Sequence, residues 1–481
     1  MQLTLNTVGL MCGGDLSANA DPDLIIRDVV IDSREAKPGS LFVAIIGENL
    51  DGHDYVEAAF ANGASAALVH LRYAGRNAQP LTPEERRAST RIPRGVIYVE
   101  DTVKALGLLA RSYRQQFNIP IVGITGSNGK TTTKEMLKSI CNQEFGEQHV
   151  LATAGNLNNH LGLPLTLLKL NDEHKVAIIE MGMNHAGELD YLTNIAKPTI
   201  AVVGNVMLAH AGFFNDINDI AKAKGEIYHG LVDDGIACVN LTVVEHDMWL
   251  QDLHNKKVKV VPYGTEQSGY YIQSDINMDS SLPHESDRQN DNAHNAFTLV
   301  TPLGSAKIEL QILGKHNQSN ALTAATLAIN MGCSLKSIIV GLSMYTGYKG
   351  RLERKKAFNG ALIIDDTYNA NPESVKAAIL AIQNLPKPHW FIFADLKELG
   401  KFANDAHKEI GEFAATHGID LLLTYGELAN TAGDMFTGEQ LHFKTREDIV
   451  EYCLHNLPAP ATLLLKGSNS MGLDKVVAGL M

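Results

Sequence analysis

IPIVGITGSNGKTTTKEML, residues 119–137 of a 481-residue chain, reads as a short apolar strand, a turn rich in small residues, and a helix. Such a turn aims several backbone N–H groups at one point, and the helix terminus adds about half a positive charge there. Gly126 and Gly129 let an anionic oxygen approach the backbone with no Cβ in the way, with Ser127 and Asn128 between them. Lys130 can neutralise a terminal phosphate, Thr131 can bring a hydroxyl to Mg²⁺, and Thr132 continues the same first turn. The commoner phosphate loop is Gly-x-x-x-x-Gly-Lys-Ser/Thr. Counting back puts Ile124, not glycine, in its leading place, so the loop has a shorter form, Thr-Gly-x-x-Gly-Lys-Thr-Thr. The plain alternative is a tight strand-to-helix turn with an incidental lysine; the strand, glycines, lysine, threonines and helix together favour the phosphate reading.

The neighbouring sequence extends this alternation. KVAIIEMG leads to HAGELDYLTNIA, and TIAVVGNV to INDIAKAKGEIYHGL; apolar strands alternating with helices imply a parallel sheet covered on both faces. After TGYKGRLE the pattern resumes, with ALIIDD, HWFIFAD, IDLLLTYG and ATLLLKG as strands of a further doubly wound unit. Ahead of the loop, DLIIRDVVID, SLFVAII and SAALVHL read as strands and DYVEAAFANGA as a helix; a polar RNAQPLTPEERRASTRIPRG precedes strand VIYVE. NAFTLVT and AKIELQIL, joined by PLGS, read as an antiparallel hairpin. The stretch 267–295 reads as a polar surface excursion. The expected architecture is three α/β domains: 1–101, a central 102–347 built on a phosphate-loop-type parallel sheet, and a Rossmann-like, doubly wound 348–481.

A formal net charge of −13 argues against a general nucleic-acid binder, which would carry a basic stripe. It does not exclude anionic small molecules, which local N–H groups and single lysines can hold. Cys12, Cys141, Cys238, Cys333 and Cys453 stand far apart, so neither a zinc site nor a disulfide framework is expected. MQLTLNTVGLM lacks a basic leader before an apolar run, and no stretch approaches the roughly 20 apolar residues of a membrane span. The expectation is a soluble, cytoplasmic, monomeric protein acting on small molecules.

Further residues stand out by chemistry. Glu180 ends the strand KVAIIE, where open parallel sheets place ligands, and a carboxylate there suits a hard cation such as Mg²⁺. His210 follows strand TIAVVGNV in the matching position, although a lone histidine is more often structural. TAGNLNNHLGLPLTLL crowds asparagines, each needing partners if buried; a polar turn or helix cap is an equal alternative. IAKAKGEIY carries Lys222 and Lys224, for which a solvated helix face is the default.

TGSNGKTT resembles the loop of the Mur ligases and of their relatives, the folylpolyglutamate synthases, ATP-dependent enzymes that join a carboxylate to an amine. The similarity to the Mur ligase family runs nearly end to end and in the family's order. It resembles most the branch that adds D-alanyl-D-alanine to UDP-N-acetylmuramoyl-tripeptide through an acyl phosphate, with ATP and Mg²⁺. By this resemblance, Ser33 and Arg34 in DSREAKPGSLFVAIIGENLDGHDYVEAAFANGA would contact the UDP part. Thr153, Asn156 and Asn159 would face the muramoyl-peptide and the phosphates. Lys130, Glu180, His210 and Lys224 would be the catalytic set, with Glu180 and His210 on a second metal ion and Lys224 carbamylated by CO₂ to help seat Mg²⁺. Asn317 and Asn320 in GKHNQSNALTAATLA would lie near adenine, and Arg351 in GYKGRLE would reach the ATP phosphates. Asp366, Tyr368 and Asn369 in DDTYNANPES would suit ribose or acceptor contacts; Asp395, Glu398 and Leu399 in FADLKELG, with His407, would face the dipeptide.

One departure is visible. LLKGSNSMGLDKVV resembles a Lys-Gly-Ser-Arg segment with Asn469 in place of arginine, and an amide cannot supply the guanidinium's five-donor fork. Lys466 remains. Rival readings fit less well. A folylpolyglutamate synthase would lack a uridine-type domain ahead of the loop, and the first Mur ligase carries a Gly-x-Gly-x-x-Gly that is absent before residue 100. The diaminopimelate- or lysine-adding ligase carries Asp-Asn-Pro-Arg, where this chain has NANPES. A nucleotide-driven switch needs only the loop.

Overall fold

The computed structural model describes residues 1–73, 95–207, 213–273 and 295–481. Nearly all of RNAQPLTPEERRASTRIPRG, most of the 267–295 excursion, and His210 lie outside the described residues.

The central sheet has six parallel strands in the order Lys259–Tyr263, Ile236–Asn240, Ile200–Val203, Ile121–Thr125, Val176–Glu180, Val150–Ala152. The three strands Ile200–Val203, Ile121–Thr125 and Val176–Glu180 are buried along their whole length, which is why they read as continuous apolar runs. Strand order reverses at Ile121–Thr125, so the chain leaves it toward both sides and opens a crevice at its carboxyl end. Glu180 pairs with Ile124 and Val203 with Thr125, so three strand ends align at that crevice. The helix Lys130–Phe145 starts there and buries Met136, Leu137, Ile140 and Cys141 against the sheet. The hairpin Asn295–Thr301 with Gly304–Leu310 forms as expected, and Tyr271–Gln273 adds a third antiparallel strand.

The C-terminal sheet runs Glu353–Lys356, Leu362–Asp366, Thr462–Lys466, His389–Ala394, Leu421–Tyr425, Glu439–Phe443, with only the first pair antiparallel. The N-terminal sheet has five strands, Asp15–Leu16, Val96–Val99, Ala66–His70, Ser40–Val43 and Asp28–Val30. Its last four are parallel. The three α/β parts thus take the expected class.

Asp101 accepts from the N–H groups of Val103 and Lys104 and so caps the helix Thr102–Arg114. This helix is shared. Leu106, Leu109 and Ala110 belong to one apolar core that contains Leu5, Val8 and Ile97 on one side and Leu163, Leu189 and Leu192 on the other. Tyr113 donates to Leu170 O, and Arg114 to Ala196 O and Lys197 O, which locks the helix to the central part. Among the described residues no helix is long and apolar enough to cross a membrane.

Candidate active site

The phosphate loop is held open by a neighbour that the sequence reading did not single out. Asn205, just beyond strand Ile200–Val203, accepts from Asn128 N at 2.9 Å and donates to Asn128 O at 2.8 Å, while its backbone carbonyl accepts from Ser127 N at 3.1 Å. The Ser127 hydroxyl bridges to Met207 O and Met207 N. Gly129 is doubly required: its φ is 74°, and a Cβ there would stand 2.3 Å from Asn320 Oδ1. Lys130 Nζ folds onto the loop's own carbonyls, Gly126 O at 2.7 Å and Ser127 O at 3.3 Å. Burial lowers its pKa; Glu180 opposes that shift and Arg351 adds to it. An anion arriving at the loop meets an ammonium tethered by carbonyls alone.

Glu180 is 2% exposed. Its backbone N–H donates to Thr153 Oγ1 at 3.0 Å, and its Oε1 accepts from Asn158 Nδ2 at 2.7 Å. Among the described residues Oε2 is buried without a partner. An orphaned carboxylate oxygen is costly in a fold and characteristic of a place where a ligand completes the contacts. Asn158, between the two asparagines named from the sequence, is therefore the amide that touches the carboxylate. Asn156 and Asn159 line the same cleft, and Asn159 Oδ1 also caps Leu161 and Gly162. Thr153 is buried and acts from behind.

Lys224 is 2% exposed on the helix Ile217–Gly225, and among the described residues its amine has no hydrogen-bond or ion-pair partner. Burial, reinforced by Lys130, drives its pKa well below the ordinary lysine value. The solvated helix face is thus not where this residue lies.

Two cavities meet at the loop. The larger, about 710 Å³, is lined by Lys130, Thr131, Glu180, Tyr368 and Asn369, with Glu398 and Leu399 from the C-terminal part. The smaller, about 360 Å³, is lined by Asn317, Asn320, Asp366 and Lys466, with Val244 and His316. Asn128, Gly129 and Arg351 line both. The Arg351 guanidinium lies 4.3 Å from the centre of the Tyr368 ring, and among the described residues its buried Nε has no hydrogen-bond partner. Asn469 also lines the larger cavity and donates to Tyr368 O at 2.9 Å.

Several named residues spend their polar atoms on the fold. Asp366 accepts from Lys466 Nζ at 2.5 Å and from Leu352 N at 3.2 Å, which separates it from Tyr368 and Asn369 in the larger cavity. Asn320 bonds Thr133 and Asn317, and Asn317 bonds Leu313 O. Asp395 is buried, caps Ala429 N and pairs with Lys397. His407 is fully buried; its Nδ1 donates to Ala403 O at 2.6 Å and its Nε2 accepts from Leu396 N at 3.0 Å. Ser33 and Arg34 sit on a short turn of the N-terminal part, away from both cavities, where Asp32 holds Arg34 at 2.5 Å. Their burial differs: Ser33 is buried, the Arg34 side chain 85% exposed.

Comparison with known proteins covers the whole chain. Residues 25–114 match the family described as Mur ligase family, catalytic domain; 124–328 match Mur ligase middle domain; 350–469 match Mur ligase, glutamate ligase domain. The UDP-N-acetylmuramoyl-tripeptide–D-alanyl-D-alanine ligase of Haemophilus influenzae is 32% identical over 467 residues, 96% of this chain and 94% of that protein. Its Escherichia coli (strain K12) namesake is 34% identical over 483 residues, 100% and 98% of the two chains. The crystal structure of a MurF from Acinetobacter baumannii superposes with a TM-score of 0.85 at 30% identity, covering 99% of this chain and 98% of that one. A MurF ligase from Thermotoga maritima, solved in complex with ADP, shares the fold with a TM-score of 0.75 at 24% identity, over 94% and 96% of the chains.

Proposed function

The chain belongs to the Mur ligase family, and from that premise we propose that it uses ATP to join the amine of D-alanyl-D-alanine to the terminal carboxylate of a UDP-N-acetylmuramoyl-tripeptide. In this reading residues 1–101 hold the uridine end, 102–347 the ATP and 348–481 the dipeptide. The enzyme works as a monomer in the cytoplasm, on precursors of peptidoglycan. One observation carries the chemistry: the phosphate loop and Arg351 form the common wall of two cavities, so a nucleotide in the smaller can present its last phosphate to a carboxylate in the larger.

A carboxylate acylates poorly because oxide would have to leave. Transfer of the γ-phosphoryl group to one carboxylate oxygen releases ADP and gives an acyl phosphate. The dipeptide amine then attacks the acyl carbon, phosphate departs, and the amine's proton passes to solvent or to the departing phosphate. Two anions must come together in the first step. Arg351 faces them from the shared wall and Lys130 from the larger cavity; together they offset the repulsion, and fixed cations act without reorganising.

A hard cation fits the same cleft, since Glu180 Oε2 has no partner among the described residues and Thr131 lines the cleft with it. Among the described residues no cluster of three His, Cys, Asp or Glu side chains gathers. Glu180 and Thr131 would therefore hold Mg²⁺ together with nucleotide oxygens, and the ion would spread the charge of the transferring phosphoryl group. Lys224 suits carbamylation: its lowered pKa favours the neutral amine, whose lone pair adds to the carbon of CO₂ with loss of a proton. The anion formed offsets the charge of Lys130.

The test is phosphate release. The ligase is expected to release phosphate from ATP only when both muramoyl-tripeptide and D-alanyl-D-alanine are supplied, whereas a nucleotide switch would hydrolyse ATP with neither. Lys130→Met is expected to lower kcat by about 100- to 1,000-fold. Coupling at full speed in that variant would overturn the assignment.

A further inference from the structure

Lys134 lies one helical turn beyond Lys130, on the same face of the helix Lys130–Phe145. Its side chain is 0% exposed. An ammonium remains in such a place only when its N–H groups find partners. Lys134 Nζ donates to Thr153 O at 2.6 Å, pairs with Glu135 Oε1 at 2.9 Å, and stands 5.6 Å from the centre of the Tyr348 ring. Three donors meet a carbonyl, a carboxylate and an aromatic face. An apolar side chain of the same length would fill the space and connect none of these.

Two of the three partners lead to the reacting groups. Thr153 has every polar atom engaged: its N–H with Ile178 O, its carbonyl with Lys134, its hydroxyl with Glu180 N. The Glu180 backbone is thus located from Lys134 through a single residue. Tyr348 leads the other way. Its ring meets that of Tyr368 edge-on with centroids 6.0 Å apart, and Arg351 rests on the far ring. Lys134 is the node at which the phosphate-loop helix, the Glu180 strand end and the Arg351 segment are fixed to one another.

We propose that Lys134 is a positioning residue of the ligase reaction, touching no substrate and setting where Glu180 and Arg351 stand relative to Lys130. The proposal rests on the function inferred above.

Lys134→Met keeps the side chain's length and removes the ammonium. The kcat for amide formation is expected to fall about 10- to 100-fold, with the KM for ATP held within about twofold. Mn²⁺ titrated into the enzyme with a non-hydrolysable ATP analogue, followed by electron paramagnetic resonance, is expected to bind about tenfold more weakly. Lys134→Arg, which restores a cation, is expected to recover part of both losses. Wild-type kcat and Mn²⁺ binding in Lys134→Met would overturn the proposal, as would losses that merely track a collapse of ATP affinity and melting temperature. If Lys134→Met does not fold, Thr153→Val and Tyr348→Leu test one arm each: the first should weaken Mn²⁺, the second should lower kcat with Mn²⁺ unchanged. Wild-type behaviour in both would again overturn it. A wild-type enzyme that forms no amide from the two substrates would sink the reaction itself, while the Mn²⁺ titration would still decide the role of Lys134.

Discussion

The side-chain amides of Asn128 and Asn371 face each other and exchange hydrogen bonds, Asn128 Nδ2 to Asn371 Oδ1 at 3.2 Å and Asn371 Nδ2 to Asn128 Oδ1 at 2.6 Å. Asn128 belongs to the phosphate loop, whereas Asn371 caps the helix Pro372–Ala381 through a reciprocal bond with Ser374. The loop proposed to hold the nucleotide is therefore also a point where the central and C-terminal parts hold each other.

Substitution separates the two duties of Asn371. Serine retains the cap but falls short of Asn128, so Asn371→Ser should raise the KM for ATP by about 3- to 10-fold, the worth of one or two neutral hydrogen bonds, with little change in melting temperature. Asn371→Ala should add a loss of about 1 kcal/mol in stability from the missing cap. Calorimetry beside ATP-dependent kinetics checks both, and an unchanged KM in the serine variant would show that the pair plays no part in nucleotide binding.

Asn158 holds one oxygen of Glu180, and the other has no partner among the described residues. Asn158→Ala should let the carboxylate turn and lower kcat by about 10- to 100-fold, the usual effect of removing a ligand's orienting partner. Glu180→Gln, which keeps the shape and removes the charge, should cost more and raise the Mg²⁺ concentration needed for half activity. Metal-dependence curves for the two variants decide; if Asn158→Ala is as active as wild type, the amide has no orienting role.

Lys224 sets stability against activity. Its buried amine has no partner among the described residues, so in CO₂-free buffer, where it carries no carbamate, Lys224→Met should stabilise the protein by about 1–3 kcal/mol near neutral pH; the same substitution should abolish coupling. The pH dependence has a definite sign. Between its lowered native pKa and the ordinary 10.5, the unfolded chain binds one more proton than the native one, so wild-type stability rises with pH across that window. The gap between variant and wild type should therefore close as pH approaches 10.5. Denaturant titrations along a pH series measure it, and a gap that widened with pH would contradict the burial of an unpaired amine.

His407 has the histidine version of the same effect. Burial lowers its pKa below 6.5, and its neutral ring is fixed by Ala403 O and Leu396 N. Stability should be lost as pH falls from 6.5 toward the native pKa, because only the unfolded imidazole takes up a proton there. His407→Gln should flatten that acid limb and leave the KM for dipeptide within about twofold. A tenfold rise in that KM with the fold intact would return the ring to the substrate.

The architecture was legible because it follows from period and punctuation: apolar runs, helices and glycines placed the loop, the aligned strand ends and Glu180 where the structure has them. What the residues themselves concealed was the direction of individual polar side chains. Three asparagines between positions 156 and 159 look alike in sequence, and only the path of the turn brings Asn158 onto Glu180. Asp366, Asp395 and His407 carry reactive groups at strand ends and on a helix, yet each is neutralised or bonded by a partner 11 to 100 positions away. Lys224 reads as a surface lysine, and Lys134 draws no notice in the sequence, because burial depends on what packs over a helix, which the pattern of the helix itself does not reveal.

The helix Thr102–Arg114 has a last consequence. Because one apolar mass runs unbroken through it, the N-terminal sheet and the phosphate loop stand a set distance apart. On the proposed assignment of residues 1–101 to the uridine end, a donor anchored there would be gauged against a yardstick: each amino acid adds at most about 3.3–3.6 Å, so a peptide one unit short would strand its acid ahead of Lys130 and one unit long would overrun it. Selection by reach of this kind asks nothing of the side chains in between.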